Sequence, residues 1–313
     1  MKTYLFIIVS CMVITGFSLL PNPGPDDPVP IPAYTQRQGI ADSGYSYIIT
    51  GDYVNSGLPL FLYRMGIGKD DRNFLKRNGL NANIRYDFNV VKASNEETIV
   101  VPNCLQCHAQ VFNDSLIIGL GNSEADFTSA RRFDSDIAEA LLENYMKVNK
   151  KKGEAAKEFM QVGKFIADKM YTEVRGVNPA DRLTALLITH RDKNTLQWND
   201  SASTALPQQV VPSDVPAWWL LKKKNAMFYN GFGRGDFGRF LMGAILLTVN
   251  DTVHANKVDS HMNDVLAYLN SIKPPPYPKS IDQSLTAEGQ VLYETHCAKC
   301  HGFYGPYSLI PIT

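Results

Sequence analysis

The alternation of apolar and polar positions predicts helices through the middle of the chain and little regular strand before it. Ile137, Leu141, Tyr145 and Val148 recur at helical spacing behind Asp134 or Ser135 as a cap, and Phe159, Val162, Ile166 and Met170 repeat the pattern. Asn178 followed by Pro179 has the chemistry of a cap and first-turn pair for a third helix, with Leu183, Leu186, Leu187 and His190 on one face. A further helix carries Met262, Val265, Leu266, Leu269 and Ile272 and ends before Pro274-Pro275-Pro276-Tyr277-Pro278. From Ala33 to about Val101, aromatic and glycine-rich pieces predict one short helix and irregular segments, and Thr98-Ile99-Val100-Val101 reads as extended. The expected fold class is mainly α, with long irregular loops.

Two proline-rich runs divide this text. Residues 1–20 hold Lys2 and then an apolar stretch from Tyr4 to Leu20, the pattern of a signal peptide or N-terminal membrane anchor. Three fates stay open: cleavage near Gly16, lipidation at Cys11 within Ile8-Val9-Ser10-Cys11, or retention as a membrane tether. An extended linker over 21–35 follows, with six prolines in the twelve residues from Pro21 to Pro32. The stiff run at 274–280 then separates an expected first domain, 36–273, from a second beginning at 281.

The chemistry lies in two short motifs. Cys104-Leu105-Gln106-Cys107-His108 and Cys297-Ala298-Lys299-Cys300-His301 are both Cys-x-x-Cys-His. Two thiols one helical turn apart can form thioethers to the two vinyl groups of one haem, and the following imidazole can ligate its iron. This assigns haem attachment to Cys104, Cys107, Cys297 and Cys300 and iron ligation to His108 and His301, with two covalently attached haem c groups. A four-cysteine zinc site would have to converge across nearly two hundred residues, and a thioredoxin-like pair needs neither the following His nor this setting. The fifth cysteine, Cys11, is in the leader, so no pair remains for a structural disulfide. Covalent haem attachment agrees with export to the periplasm or the outer face of a bacterial membrane.

Composition adds exclusions. Net charge is zero at pH 7, with 31 basic and 31 acidic residues, so nothing global favours nucleic acid. The runs Lys150-Lys151-Lys152 and Lys222-Lys223-Lys224 read as solvated surface, with docking of a redox partner as the sharper alternative. Gly119-Leu120-Gly121 lacks the third glycine of a dinucleotide loop, because Glu124 stands there, and instead suggests backbone packed close to the first haem. Between the motifs, Trp218-Trp219 and the stretch from Gly231 to Asp236 are candidates for an aromatic bridge and an Arg234 contact to a haem propionate. Sixth-ligand candidates for the first iron are His190, His254, His261, Met227, Met242 and Met262, with His296 a bystander beside Cys297.

Behind a Thr286 cap, Gly289, Tyr293 and Cys297 at four-residue steps resemble the N-terminal helix of small class I cytochromes c. Only twelve residues follow His301, none of them Met or His. The second domain, 281–313, is therefore expected to be cut short, or its iron to be completed from earlier in the chain. The plan of two Cys-x-x-Cys-His motifs with a Trp-containing segment between them resembles the bacterial dihaem cytochrome c peroxidase superfamily, nearest its rubber-oxygenase-like branch. That resemblance implies cytochrome c-like haem domains, Trp218 or Trp219 between the haems, and an aromatic such as Phe232 near a reactive one. Two functions follow as expectations. One is an exported electron-transfer cytochrome whose partners are redox proteins. The other is a dihaem peroxidase or oxygenase acting on a small oxidant at the first haem, with Trp218, Trp219, Phe232 and Arg234 as its catalytic set.

Overall fold

The computed structural model describes residues 31–66, 68–128, 143–167, 169–228, 231–249 and 251–298. The leader, most of the first linker, Ile137 and Leu141, and Lys299, Cys300 and His301 of the second motif lie outside the described residues.

The chain is mixed α/β, which corrects the mainly α, cytochrome-like expectation: alongside the helices stand two antiparallel sheets. The sequence marks one of their strands, the extended Thr98-Ile99-Val100-Val101, and the others come from text without a strand pattern. Leu58–Pro59 (β1), Phe88–Lys92 (β2) and Thr98–Pro102 (β3) form a three-stranded sheet in the order β1-β3-β2. Val90 faces Val100 and Val91 faces Ile99 across the β2–β3 pair. Consecutive apolar residues on both strands are buried, so neither strand shows the polar alternation that marks a half-exposed sheet. The second sheet is a hairpin, Ala109–Phe112 (β4) with Ser115–Ile118 (β5). Its turn places Asn113 and Asp114 at φ of 47° and 56°, a left-handed conformation that these two residue types tolerate.

The helices follow the apolar pattern more closely. Ala41–Thr50 (α1) is followed by Leu60–Gly66 (α2), and the one-turn helix Leu105–His108 (α3) carries the first motif. Lys150–Ala167 (α4) ends before Met170, and Ala180–Thr189 (α5) ends before His190, which follows it as C-cap. Pro179 rather than Asn178 occupies the N-cap of α5, with no side-chain cap. A 3₁₀ turn at Trp218–Lys223 precedes Phe237–Leu241 (α6) and Thr252–Ser271 (α7). Helix α7 buries Val258, Met262, Val265, Leu266 and Leu269, the face its spacing predicts. Its last carbonyls, of Asn270 and Ile272, accept from Lys222 Nζ at 3.2 and 3.3 Å, so that lysine closes the helix end as well as facing solvent.

Helix α1 crosses α7 at backbone contact. A Cβ on Gly44 would overlap the Asp264 carbonyl oxygen, so only glycine permits that approach. Ile48, Ile49 and Tyr53 then join Leu105, Trp218 and the buried face of α7 in one core. The first motif is thus anchored in the centre of the unit formed by Ala33–Ile281.

Gln283–His296 (α8) belongs to a separate unit. Asp282, not Thr286, is its cap: Asp282 Oδ1 accepts from the Ser284 and Leu285 amides at 2.9 and 3.1 Å. Thr286 instead donates its hydroxyl to the Asp282 carbonyl. Cys297 follows as the C-cap, exposed and outside any disulfide.

Candidate functional site at the first motif

Strand β3 delivers the chain to Asn103, whose side chain starts the motif. Asn103 Oδ1 accepts from the Leu105 amide at 2.9 Å, an Asx-type turn that directs the chain into α3. Asn103 Nδ2 donates to the Tyr86 carbonyl and to Asn89 Oδ1, both at 2.9 Å. Asn89 in turn donates to the carbonyls of Ile48 and Gly51. Behind them buried Arg77 spends its guanidinium on the carbonyls of Ile49, Phe88, Ile84 and Arg85. Burial lowers its pKa from the usual arginine value, with the charge spread over backbone acceptors. This polar frame fixes where the motif begins.

One helical turn then sets the three side chains of the motif. Cys104 and Cys107 are three residues apart, neither in a disulfide, and the His108 amide donates to the Cys104 carbonyl at 3.2 Å. Tyr53 Oη accepts from the Cys104 amide at 3.3 Å and donates to the Ile48 carbonyl at 2.8 Å. Burial pushes the Cys104 thiol up to about 11. A thiol held protonated is a poor nucleophile, which argues against thioredoxin-like exchange at this pair. Asn178 Nδ2 donates to Cys107 Sγ at 3.5 Å while its backbone pairs with Ser213. The residue read as a helix cap therefore serves the motif.

His108 is fixed from one face and one edge. Its imidazole stacks on Trp218 with centroids 4.7 Å apart and planes 21° from parallel. Its Nδ1 is enclosed with no hydrogen-bond partner among the described residues. Burial lowers its pKa to about 4, so the ring is neutral near pH 7, the state in which imidazole binds metal. The Gly119-Leu120-Gly121 loop closes over the turn. The Gly119 amide donates to the His108 carbonyl at 2.8 Å, the Asn122 amide to the Cys107 carbonyl at 2.9 Å, and the Trp218 amide to the Gly119 carbonyl at 2.9 Å. Gly119 has φ of 89°, and a Cβ on Gly121 would overlap the Val215 carbonyl oxygen. Both glycines are required by the approach.

The other candidates are dispersed. Trp219, half-buried, makes no ring contact with His108. Phe232 clusters with Phe228 and Phe240 at 4.7 and 5.3 Å, and Arg234 Nε donates to the Gly231 carbonyl at 2.7 Å within its own loop. That loop is tied through Gln36 and Arg37 to Gly235, Asp236 and Asp259. Asp259 lies about 20 Å along α7 from Ile272, which packs by Gly119. Trp218 is thus the member of the expected catalytic set that reaches the first motif.

The sixth-ligand candidates are occupied in different places. His190 Nδ1–H donates to the Asn199 carbonyl at 2.8 Å and its ring stacks on Trp198, while His254 Nε2 meets the Asp52 carbonyl at 3.1 Å. His261 stacks on Tyr47. Met262 is buried, and Met227 and Met242 pack against the main core. Among the described residues no three His, Cys, Asp or Glu side chains gather to hold a metal ion. A haem iron, which brings four nitrogen ligands of its own, requires no such gathering.

No protein-family model matches the sequence, and no solved structure matches it. The uncharacterized protein y4iM of Sinorhizobium fredii (strain NBRC 101917 / NGR234) is 25% identical over 113 residues, covering 36% of this chain and 25% of that protein. The similarity spans about a quarter of that relative's length. Among the described residues no helix is long and apolar enough to cross a membrane.

The site yields two checks on its packing. Asn178→Ala removes the donor to Cys107 while leaving the Ser213 backbone pair, and is expected to cost about 1 kcal/mol, read as a lower urea midpoint at unchanged slope. The second concerns acid. Below about pH 6.5 the unfolded chain protonates His108, whereas the folded haem-free chain resists until about 4. Stability of the haem-free protein should therefore fall as pH drops through that window, by as much as about 3 kcal/mol from this group. Urea unfolding of wild type and His108→Asn at pH 7 and 4.5 reads the difference. Equal losses in both proteins would remove His108 as the cause.

Proposed function

We propose that the chain is an exported c-type cytochrome that binds haem covalently at Cys104, Cys107 and His108 and at Cys297, Cys300 and His301, and that it transfers electrons. The observation that carries the reading is the first motif itself: two thiol side chains one turn apart, followed by a neutral imidazole held face-on by Trp218. Nδ1 of His108 is the enclosed, unpartnered nitrogen, so ligation would fall to Nε2. The residues fit the group on the attachment side. Haem would supply one-electron iron chemistry there, and the chain would supply the thioether sulfurs, the proximal imidazole and its orientation.

A carrier needs these parts alone, whereas a peroxidase or oxygenase also needs side chains converging over the open face of the iron. Phe232 and Arg234 are held in another loop, so no observation favours the enzymatic reading. Its partners are then electron-transfer proteins or small reductants. Expression with a periplasmic haem-attachment system followed by a spectroelectrochemical titration tests this proposal. Two reversible one-electron transitions are expected, with the oxidised spectrum unchanged by peroxide. Absence of any haem-derived transition, or rapid peroxide turnover, would overturn it.

A further inference from the structure

A cleft of about 470 Å³, lined by Tyr47, Asp52, Leu80, Val91 and His261 among others, opens beside the C-terminal end of α1. Its volume is within the range that holds small ligands. Two of its lining rings are stacked: Tyr47 and His261 are 4.2 Å apart and 22° from parallel. The Tyr47 ring is in turn 5.5 Å from that of Tyr53. Tyr53 Oη accepts from the Cys104 amide. Tyr47 Oη is enclosed without a hydrogen-bond partner among the described residues, and burial, then Asp52, then the Cys104 thiol raise its pKa. Tyr47 therefore spans from the cleft wall to the neighbourhood of Cys104. A continuous series of rings joins solvent to the haem-attachment turn.

We propose that this cleft is the port by which electrons enter the haem at Cys104, Cys107 and His108, with a small hydroquinone-class reductant as donor and the His261, Tyr47 and Tyr53 rings as the path. The proposal rests on the haem reading above. Tyr47 and His261 both line the cleft, so ring surface is available there for an aromatic donor to pack against. Asp52, paired with Lys257, and the His261 ring offer acceptors for its two hydroxyl protons. A hydroquinone loses two electrons and two protons and becomes the quinone. The two electrons would be taken by two ferric first-motif haems, one in each of two chains, and the two protons would pass through the cleft side chains to water. Tyr47 and Tyr53 keep their phenolic protons, which burial holds in place, and serve as the medium between donor and haem.

The test uses the haem-loaded full chain and 1,4-benzohydroquinone in stopped flow, with dithionite as a reductant that needs no cleft. Wild type should show saturable reduction. Tyr47→Leu should slow it about tenfold and His261→Leu by about threefold, with dithionite rates unchanged. Separately, titration with the same probe should shift and saturate the His261 ring-proton resonances. If Tyr47→Leu fails to fold, His261→Leu on the cleft wall carries the comparison. Non-saturable kinetics, equal rates in the variants, or unshifted His261 resonances in a haem-loaded protein overturn the port and leave the haem reading intact. A chain that attaches no haem overturns both.

Discussion

Replacing Cys104 and Cys107 together by alanine is expected, on the proposed two-haem reading, to remove one haem, lowering haem absorbance per chain by about half and leaving the second transition in a redox titration. The reasoning is local. The two sulfurs sit one turn apart on α3, with Leu105 between them wholly buried in the core and Asn103 fixing the start of the turn. Alanine is smaller, keeps the helix and removes only the bond-forming atoms, so the loss should be of haem and not of fold. Circular dichroism at 222 nm, with the absorbance ratio of haem to protein, separates the two. Haem content unchanged in the double variant would remove the first motif from the account. Cys297→Ala with Cys300→Ala should remove the other haem, and all four substitutions should leave none.

Gly121→Val is expected to destabilise the protein by about 3 kcal/mol and to lower haem occupancy at the first motif. Its first added carbon would overlap the Val215 carbonyl oxygen, which is backbone and cannot rotate away. The loop would have to lift. With it would go the Asn122 amide bond to Cys107 and the Gly119 bonds that connect His108 to Trp218. Gly163→Val is a fair comparison, because nothing lies within 4 Å of a Cβ built there. It should lose only the intrinsic helix penalty of a β-branched residue, offset by the loss of glycine. Equal thermal midpoints for the two variants would show that the loop does not press on Val215 as described.

Legibility in the sequence followed the physical character of each signal. Helix α7 was readable because burial on one face leaves a spacing of three and four, and its five buried residues include four named from that spacing. Of the three-stranded sheet β3 was legible as an extended apolar run, whereas its partner β2 was hidden for the opposite reason. Strands β2 and β3 are short and buried on consecutive positions, so Phe88–Lys92 shows no alternation. Cys104, Cys107 and His108 were evident as residues, but their supports were not. Asn178 carries the usual signature of a helix cap, and only the tertiary fold directs its amide to Cys107. Arg77 is one arginine in a polar stretch, and no local pattern marks it as the buried donor to four carbonyls. Trp218 and Trp219 are neighbours in sequence, yet one is buried against His108 and the other half-exposed, a division set by the 3₁₀ turn they begin. Gly119 and Gly121 gave a usable hint, since two glycines one residue apart soon after a motif suggest close backbone approach.

The central claim is covalent haem at two Cys-x-x-Cys-His sites. Intact mass spectrometry of the denatured chain, after exhaustive alkylation of accessible thiols, tests it most directly. The account expects the mass of the chain plus two haems, with no alkylation at Cys104, Cys107, Cys297 or Cys300. A chain of bare polypeptide mass with all four of those cysteines alkylated would contradict it.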